Sequence, residues 1–206
     1  MTYTDIVEDY IAKIDANTPI FLRDVKEVVS GNAKMIMTRM MRNGQLVRKG
    51  RGIYCKPKQT IWGTSCLGND EIIKIKYLQD ANGNIQGYIT GCKLFNRLGL
   101  TTQVPRNTEI VTNVCKGKNK RLTEYGVIIK HPKIEVDTNN YLYQQLLDVI
   151  ENKENIQVEV DNPARAIYGY FTTNSLDFAM LYTIAKKRNA SKRTIEKMSD
   201  MLLVRS

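Results

Sequence analysis

The stretch NAKMIMTRMMRNGQLVRKGRGIYCK, residues 32–56, decides how this chain is read. At about 100° per residue, Ala33, Ile36, Met37, Met40 and Met41 fall on one arc of a helix, and Lys34, Met35, Thr38, Arg39 and Arg42 fall on the opposite one. Asn32 stands where an N-cap belongs, and Gly44 where such a helix stops. Leu46 to Lys49 then reads as a strand, Gly50-Arg51-Gly52 as a tight turn that draws on positive φ, and Ile53 to Lys56 as the returning strand, closed by Pro57. The methionine arc is expected to pack inward. The other arc carries cations with no acid among them, whereas an ordinary solvated helix interleaves both signs.

Toward the N-terminus, Val7, Tyr10, Ile11 and Ile14 repeat at helical spacing with Glu8, Asp9 and Lys13 on the other side, so residues 4–15 read as an amphipathic helix after Thr4. Asn17-Thr18-Pro19 ends it, the short apolar pair Ile20-Phe21 follows, and Leu22, Val25, Val28 and Val29 make a second, small helix stopping near Ser30 and Gly31. Three helices followed by a hairpin is the order of a winged helix-turn-helix, expected over residues 1–58. An α-helix fits the ~12 Å major groove, and a glycine-tipped hairpin carrying arginine reaches phosphates or the adjacent minor groove. By position, Lys34, Thr38 and Arg42, flanked by Met35 and Arg39, face the groove, and Arg48, Lys49 and Arg51 form the wing.

Charge distribution sharpens this. The 206 residues hold 31 Lys and Arg against 21 Asp and Glu, a net +10. The first thirty residues are net acidic, while residues 31–58 carry eight cations (Lys34, Arg39, Arg42, Arg48, Lys49, Arg51, Lys56 and Lys58) and no carboxylate. Such a run points to double-stranded nucleic acid. Sequence-specific RNA readers present aromatics for stacking, and this face offers only Tyr54, at a strand position that equally suits a core.

Residues 59–69 are uncharged and rich in Gly, Ser and Thr and read as a linker, with Ile61, Trp62 and Leu67 to pack against something. Residues 70–206 read as a C-terminal α+β domain. Its expected elements are a helix over 70–78, a turn at Asn82-Gly83-Asn84, a helix over 88–98 ended by Gly99, and an extended run from Leu100 to Pro105. Strands over 108–114 and 124–136, the latter including Ile134 to Val136, make a small antiparallel sheet around a basic turn. Helices follow over 141–150, 164–168 behind an Asp161-Asn162-Pro163 cap, 176–187 and 191–204. A candidate second basic surface comprises Lys116, Lys118, Lys120 and Arg121 in the turn, with Lys186, Lys187, Arg188, Lys192 and Arg193 near the C-terminus.

The run Asn96-Arg97-Leu98-Gly99-Leu100-Thr101-Thr102-Gln103-Val104-Pro105, together with Arg51-Gly52-Ile53-Tyr54 in the N-terminal unit, resembles the AbiEi family of antitoxins from bacterial abortive-infection (phage-defence) toxin-antitoxin pairs. The likeness covers the chain to about residue 115. It implies a transcriptional autorepressor that binds operator DNA upstream of its own operon. It also implies a type IV antitoxin, acting against a nucleotidyltransferase-like toxin without a stable complex between them. By spacing alone the ten-residue run needs only a helix cap and an extended exit.

Other classes are less well served. No uncharged stretch is apolar and long enough to cross a bilayer, and Asp5, Glu8 and Asp9 stand where a secretory signal would be basic, so a cytoplasmic protein with no membrane partner is expected. Cys55, Cys66, Cys92 and Cys115 match no zinc or redox spacing and read as buried thiols. No cofactor, metal or catalytic residue is expected. Two alternatives stand beside the repressor. Glu135 with Asp137 and Glu159 with Asp161 put paired carboxylates on one side of a strand, as a Mg²⁺-dependent nuclease would use. An interaction module would instead neutralise the toxin by direct contact.

Overall fold

A computed structural model describes residues 2–29, 31–80 and 82–203, without the side chains of 201–203. Ser30 and Val204, expected near helix ends, lie outside them. The fold is mixed α and β and divides into two compact units, Met1–Ile73 and Lys74–Ser206. Among the described residues no helix is long and apolar enough to cross a membrane.

The first unit runs α1 (Tyr3–Ala12), β1 (Pro19–Phe21), α2 (Leu22–Val28), α3 (Ala33–Arg42), β2 (Val47–Gly50) and β3 (Ile53–Cys55). Helix α1 starts before Thr4 because Thr2 closes a capping box: its hydroxyl accepts from Asp5 N–H, and the Asp5 carboxylate accepts from Thr2 N–H at 2.7 Å. At the other end, the Lys56 ammonium donates to the Ile11 and Ala12 carbonyls, a cation placed where the helix dipole is negative. Val7, Ile11, Val25, Ile36, Met37 and Met40 are buried together, so the methionine arc of α3 does pack inward. Asn32 sits at the α3 N-cap with φ +56°, but its side chain caps nothing.

Ile20-Phe21, read from the sequence only as a short apolar pair, is strand β1. It pairs antiparallel with β3, giving a three-stranded sheet in the order β1-β3-β2. A register shift between Arg48 and Gly50 bulges the hairpin, and Gly52 turns it with φ +74°. The Gly52 carbonyl accepts from Leu22 N–H at 2.9 Å, which ties the turn to the start of α2.

The segment read as a linker folds. Strands β4 (Lys58–Thr60) and β5 (Gly63–Ser65) pair antiparallel with Ile61 and Trp62 exposed at the tip. The β5 strand returns the chain to the end of β3, and Cys55 and Cys66 form a disulfide. This corrects the reading of all four cysteines as thiols: a separation of 11 residues says nothing of proximity until the intervening hairpin is known. Cys92 and Cys115 are free. Reduction with dithiothreitol, or the Cys55→Ser/Cys66→Ser variant, is expected to lower unfolding stability by about 2–3 kcal/mol through the freed loop. Urea titration with and without reductant measures it, and an unchanged midpoint would leave the bridge without a stabilising role.

Helix α4 (Asn69–Ile73) ends the first unit, and Lys74–Leu78 begins the second as a π-helical turn. The second unit then holds β6 (Gly87–Thr90), α5 (Gly91–Arg97), β7 (Thr108–Thr112), β8 (Lys120–Leu122) and β9 (Val127–Lys130) in a four-stranded sheet ordered β6-β7-β9-β8. Two pairings are antiparallel as expected, whereas β7 and β9 run parallel. The expected helix from Tyr88 therefore begins as a strand: Tyr88 to Thr90 pair with β7, and Gly91, with φ +66°, makes the switch into α5. Ile134 to Val136 form no strand, because the Asn113 side chain takes both the Val136 N–H and its carbonyl. Helices α6 (Tyr141–Asn152), α7 (Pro163–Thr173), α8 (Phe178–Lys187) and α9 (Lys192–Leu203) complete the unit. Leu94, Phe95, Leu146, Leu147, Ile150, Ile167, Leu181, Ile184 and Met198 form its apolar core.

At Gly87 the sheet leaves no room for a side chain. A Cβ there would collide with the backbone carbonyls of Tyr77 and Val111, neither of which can swing aside as a side chain would. Gly87→Ala is expected to cost about 1–3 kcal/mol, read from the shift in urea midpoint. A neutral result would mean that the Tyr77 turn does not sit over β6.

Candidate nucleic-acid interface

On α3, Lys34, Met35, Arg39 and Arg42 are exposed and Thr38 is half-buried; in the hairpin, Arg48 and Arg51 are exposed and Lys49 is half-buried. Amphipathicity explains the α3 side: with Ala33, Ile36, Met37 and Met40 fixed in the core, the intervening positions must face out. Thr38 bonds back to the Lys34 carbonyl at 2.7 Å, Arg48 Nε reaches the Gly50 carbonyl at 3.2 Å, and Arg39 donates to the Thr4 hydroxyl at 3.0 Å. Among the described residues, none of Lys34, Arg39, Arg42, Arg48 and Arg51 forms an ion pair with a carboxylate. Met35 is 65% exposed, an apolar group standing among cations.

The α3 face lines one wall of an open groove of about 970 Å³, whose other side holds Thr2, Tyr3 and Thr4 at the start of α1, and Lys26. Lys26 and Thr4 are absent from the residues singled out by sequence. Lys26 stands in the acidic first thirty residues, where average charge conceals it. Arg39 hydrogen-bonds to Thr4 across the groove.

The second basic surface divides. Lys116, Lys118, Lys120 and Arg121 are all exposed around Gly117, and Lys120 and Arg121 begin β8. Near the C-terminus, Lys186 and Lys187 are exposed, but Lys192 pairs with Glu196 at 3.7 Å and Arg193 with Glu154 at 2.8 Å. Arg188 leaves the surface altogether. Its side chain is 2% exposed and binds Asp148 at 2.6 Å, with a longer contact to Glu151 and a bond to the Gln144 carbonyl. The reason is positional: Arg188 follows α8 at its C-cap, and the chain turns there toward α6.

The paired carboxylates also find other work. Glu135, Asp137, Glu159 and Asp161 lie off the strands. Asp137 accepts from the Asn139 and Asn140 N–H groups and the Asn140 amide, and Glu159 accepts from Thr102 N–H and its hydroxyl. Those Thr102 bonds hold the Glu159 carboxyl below the usual carboxylate range. Among the described residues no group of three or more His, Cys, Asp or Glu is placed to hold a metal ion. Glu159 also gives the 96–105 run a structural part: with Asn96 bonding to the Thr101 and Gln103 carbonyls and Gln103 to Gln157, the run is a strap laced to residues 157–159.

A family model covers residues 6–133, which takes in the α3 face, the hairpin and the whole mixed sheet; it describes a family of unknown function, DUF6088. The chain belongs to DUF6088. Helices α6 to α9 lie outside the DUF6088 match. No curated protein matches the chain.

Proposed function

We propose that the first unit is a winged helix-turn-helix that binds duplex DNA, and that the protein is a transcriptional autorepressor and type IV antitoxin of the AbiEi kind. One observation carries the DNA reading: an exposed face on α3 and the adjoining hairpin on which Lys34, Arg39, Arg42, Arg48 and Arg51 have no carboxylate partner among the described residues. The element order α1-β1-α2-α3-β2-β3, with β1 closing the sheet beside β3, supports the winged-helix reading. In it, α3 enters the major groove, and Arg48, Lys49 and Arg51 lie along the backbone or in the minor groove.

The antitoxin part rests on the resemblance of Asn96 to Pro105 and Arg51 to Tyr54, and carries with it a cytoplasmic setting and a nucleotidyltransferase-like toxin as functional partner. A gel shift on the protein's own promoter, against a shuffled duplex, tests the DNA reading. Preferential retardation of the promoter is expected, and equal or absent retardation overturns autorepression. Co-expression with the adjacent gene's product tests the second part: rescue of growth without co-purification is expected, and a stable complex would replace type IV action by direct neutralisation.

A further inference from the structure

The second unit holds a polar cavity that the DNA reading does not use. Pairing across the sheet sets Tyr88 beside Val111 and Val111 beside Lys130, so these three form a row across β6, β7 and β9. Thr90, two residues on from Tyr88, shares its face of β6. The chain leaves β9 through His131 and Lys133, Asn119 comes from the turn before β8, and α6 contributes Asp148, Glu151 and Asn152. Together with Arg188 these line an open cavity of about 310 Å³, at the small end of ligand sites.

The chemistry of its wall is uneven. Asp148 is saturated: Tyr88 and Thr90 hydroxyls donate to one oxygen at 3.1 and 2.8 Å, and Arg188 to the other at 2.6 Å. Glu151 takes Lys133 and Arg188, and Lys130 reaches Glu109. The carboxylates are thus in use while N–H donors remain. Among the described residues, the Asn119 amide has no hydrogen-bond partner and the buried Arg188 Nε is unpartnered, whereas His131 gives its Nδ1–H to the Cys115 carbonyl, which leaves Nε2 of the neutral ring an acceptor. Lys130, Lys133 and Arg188 bring three cations to the site, matched one for one by Glu109, Glu151 and Asp148, and each ammonium keeps N–H groups beyond the one its carboxylate takes.

We propose that this cavity binds a small phosphate monoester of up to nucleotide size, its phosphate held by Asn119, Lys130 and Lys133 over the Arg188–Asp148 pair, its organic part against Tyr88 and Val111. A phosphate offers acceptor oxygens to several donors at once, which is what the unclaimed groups call for. The volume exceeds what a lone phosphate fills, and Val111 gives the remainder an apolar wall. The site is independent of the α3 face.

Calorimetry on the full chain with AMP, GMP, adenosine and inorganic phosphate tests it. Saturable one-to-one binding of AMP or GMP is expected, with inorganic phosphate competing more weakly and adenosine not binding. The variants Asn119→Asp and Lys133→Glu change exposed residues, and each is expected to weaken nucleotide binding about tenfold or more while leaving the promoter gel shift unchanged; Asn119→Asp, which breaks no hydrogen bond among the described residues, also leaves the thermal midpoint unchanged. Absence of binding, adenosine binding as well as AMP, inorganic phosphate binding as tightly as either nucleotide, or nucleotide binding that survives both variants would each overturn the site. A loss of promoter binding by the wild type would count against the DNA reading alone.

Discussion

Asp148→Ala is expected to destabilise the protein by about 3–5 kcal/mol, because it leaves the Arg188 guanidinium buried without its counter-charge. That is a large share of the ~5–15 kcal/mol by which whole domains are stable. Burial alone would pull the Arg188 pKa down; Asp148 beside it, with Tyr88 and Glu151, carries the net shift up, so the guanidinium keeps its charge. The same burial, reinforced by Asp148, pushes the Tyr88 phenol well above its ordinary value and keeps it a donor. Replacing both partners, as in Arg188→Met with Asp148→Leu, is expected to recover much of the loss, since two apolar groups leave no orphaned charge. Urea unfolding of the two single variants and the double variant measures the coupling. Additive losses would mean that the pair does not act as a unit.

The second large effect concerns DNA. Lys34→Ala/Arg42→Ala/Arg51→Ala removes three exposed cations from α3 and the hairpin tip, none of which has a carboxylate partner among the described residues. Promoter affinity near physiological salt is expected to fall about a hundredfold or more, at roughly 1 kcal/mol or more per contact. The single changes should differ in kind. Arg42→Ala relaxes base preference, while Arg51→Ala weakens promoter and shuffled duplex alike. The unfolding midpoint should hardly move, because these side chains support no packing. If the triple variant binds the promoter as tightly as wild type, the face is not the interface.

Local chemistry made much of the first unit legible. The inward arc of α3 followed from the spacing of Ala33, Ile36, Met37 and Met40, and the hairpin from glycines that tolerate positive φ, as Gly52 does. Gly99, with φ +68°, ends α5 by the same logic. What escaped the sequence depends on partners distant along the chain. Tyr88 to Thr90 have the composition of either a helix start or a strand, and only pairing with Val111 and its neighbours decides. The parallel β7–β9 pair follows from β8 lying on the outer side of β9, which no local pattern records. Arg188 sits in a run of cations that reads as surface, and its partner Asp148 is 40 residues away. The Cys55–Cys66 bridge was hidden by a segment whose uncharged composition resembles a tether although it folds into a hairpin.

The salt dependence of promoter binding decides whether the α3 face and hairpin dock onto duplex DNA. Each phosphate neutralised releases counterions worth a slope of about −0.9 in log affinity against log salt. Phosphate contacts from Lys34, Arg39, Arg48 and Arg51 therefore imply a wild-type slope of about −3 to −4, and removal of Lys34, Arg42 and Arg51 should flatten it by about 2. A wild-type slope near zero, or one that the triple variant leaves intact, would contradict docking of this face onto duplex DNA.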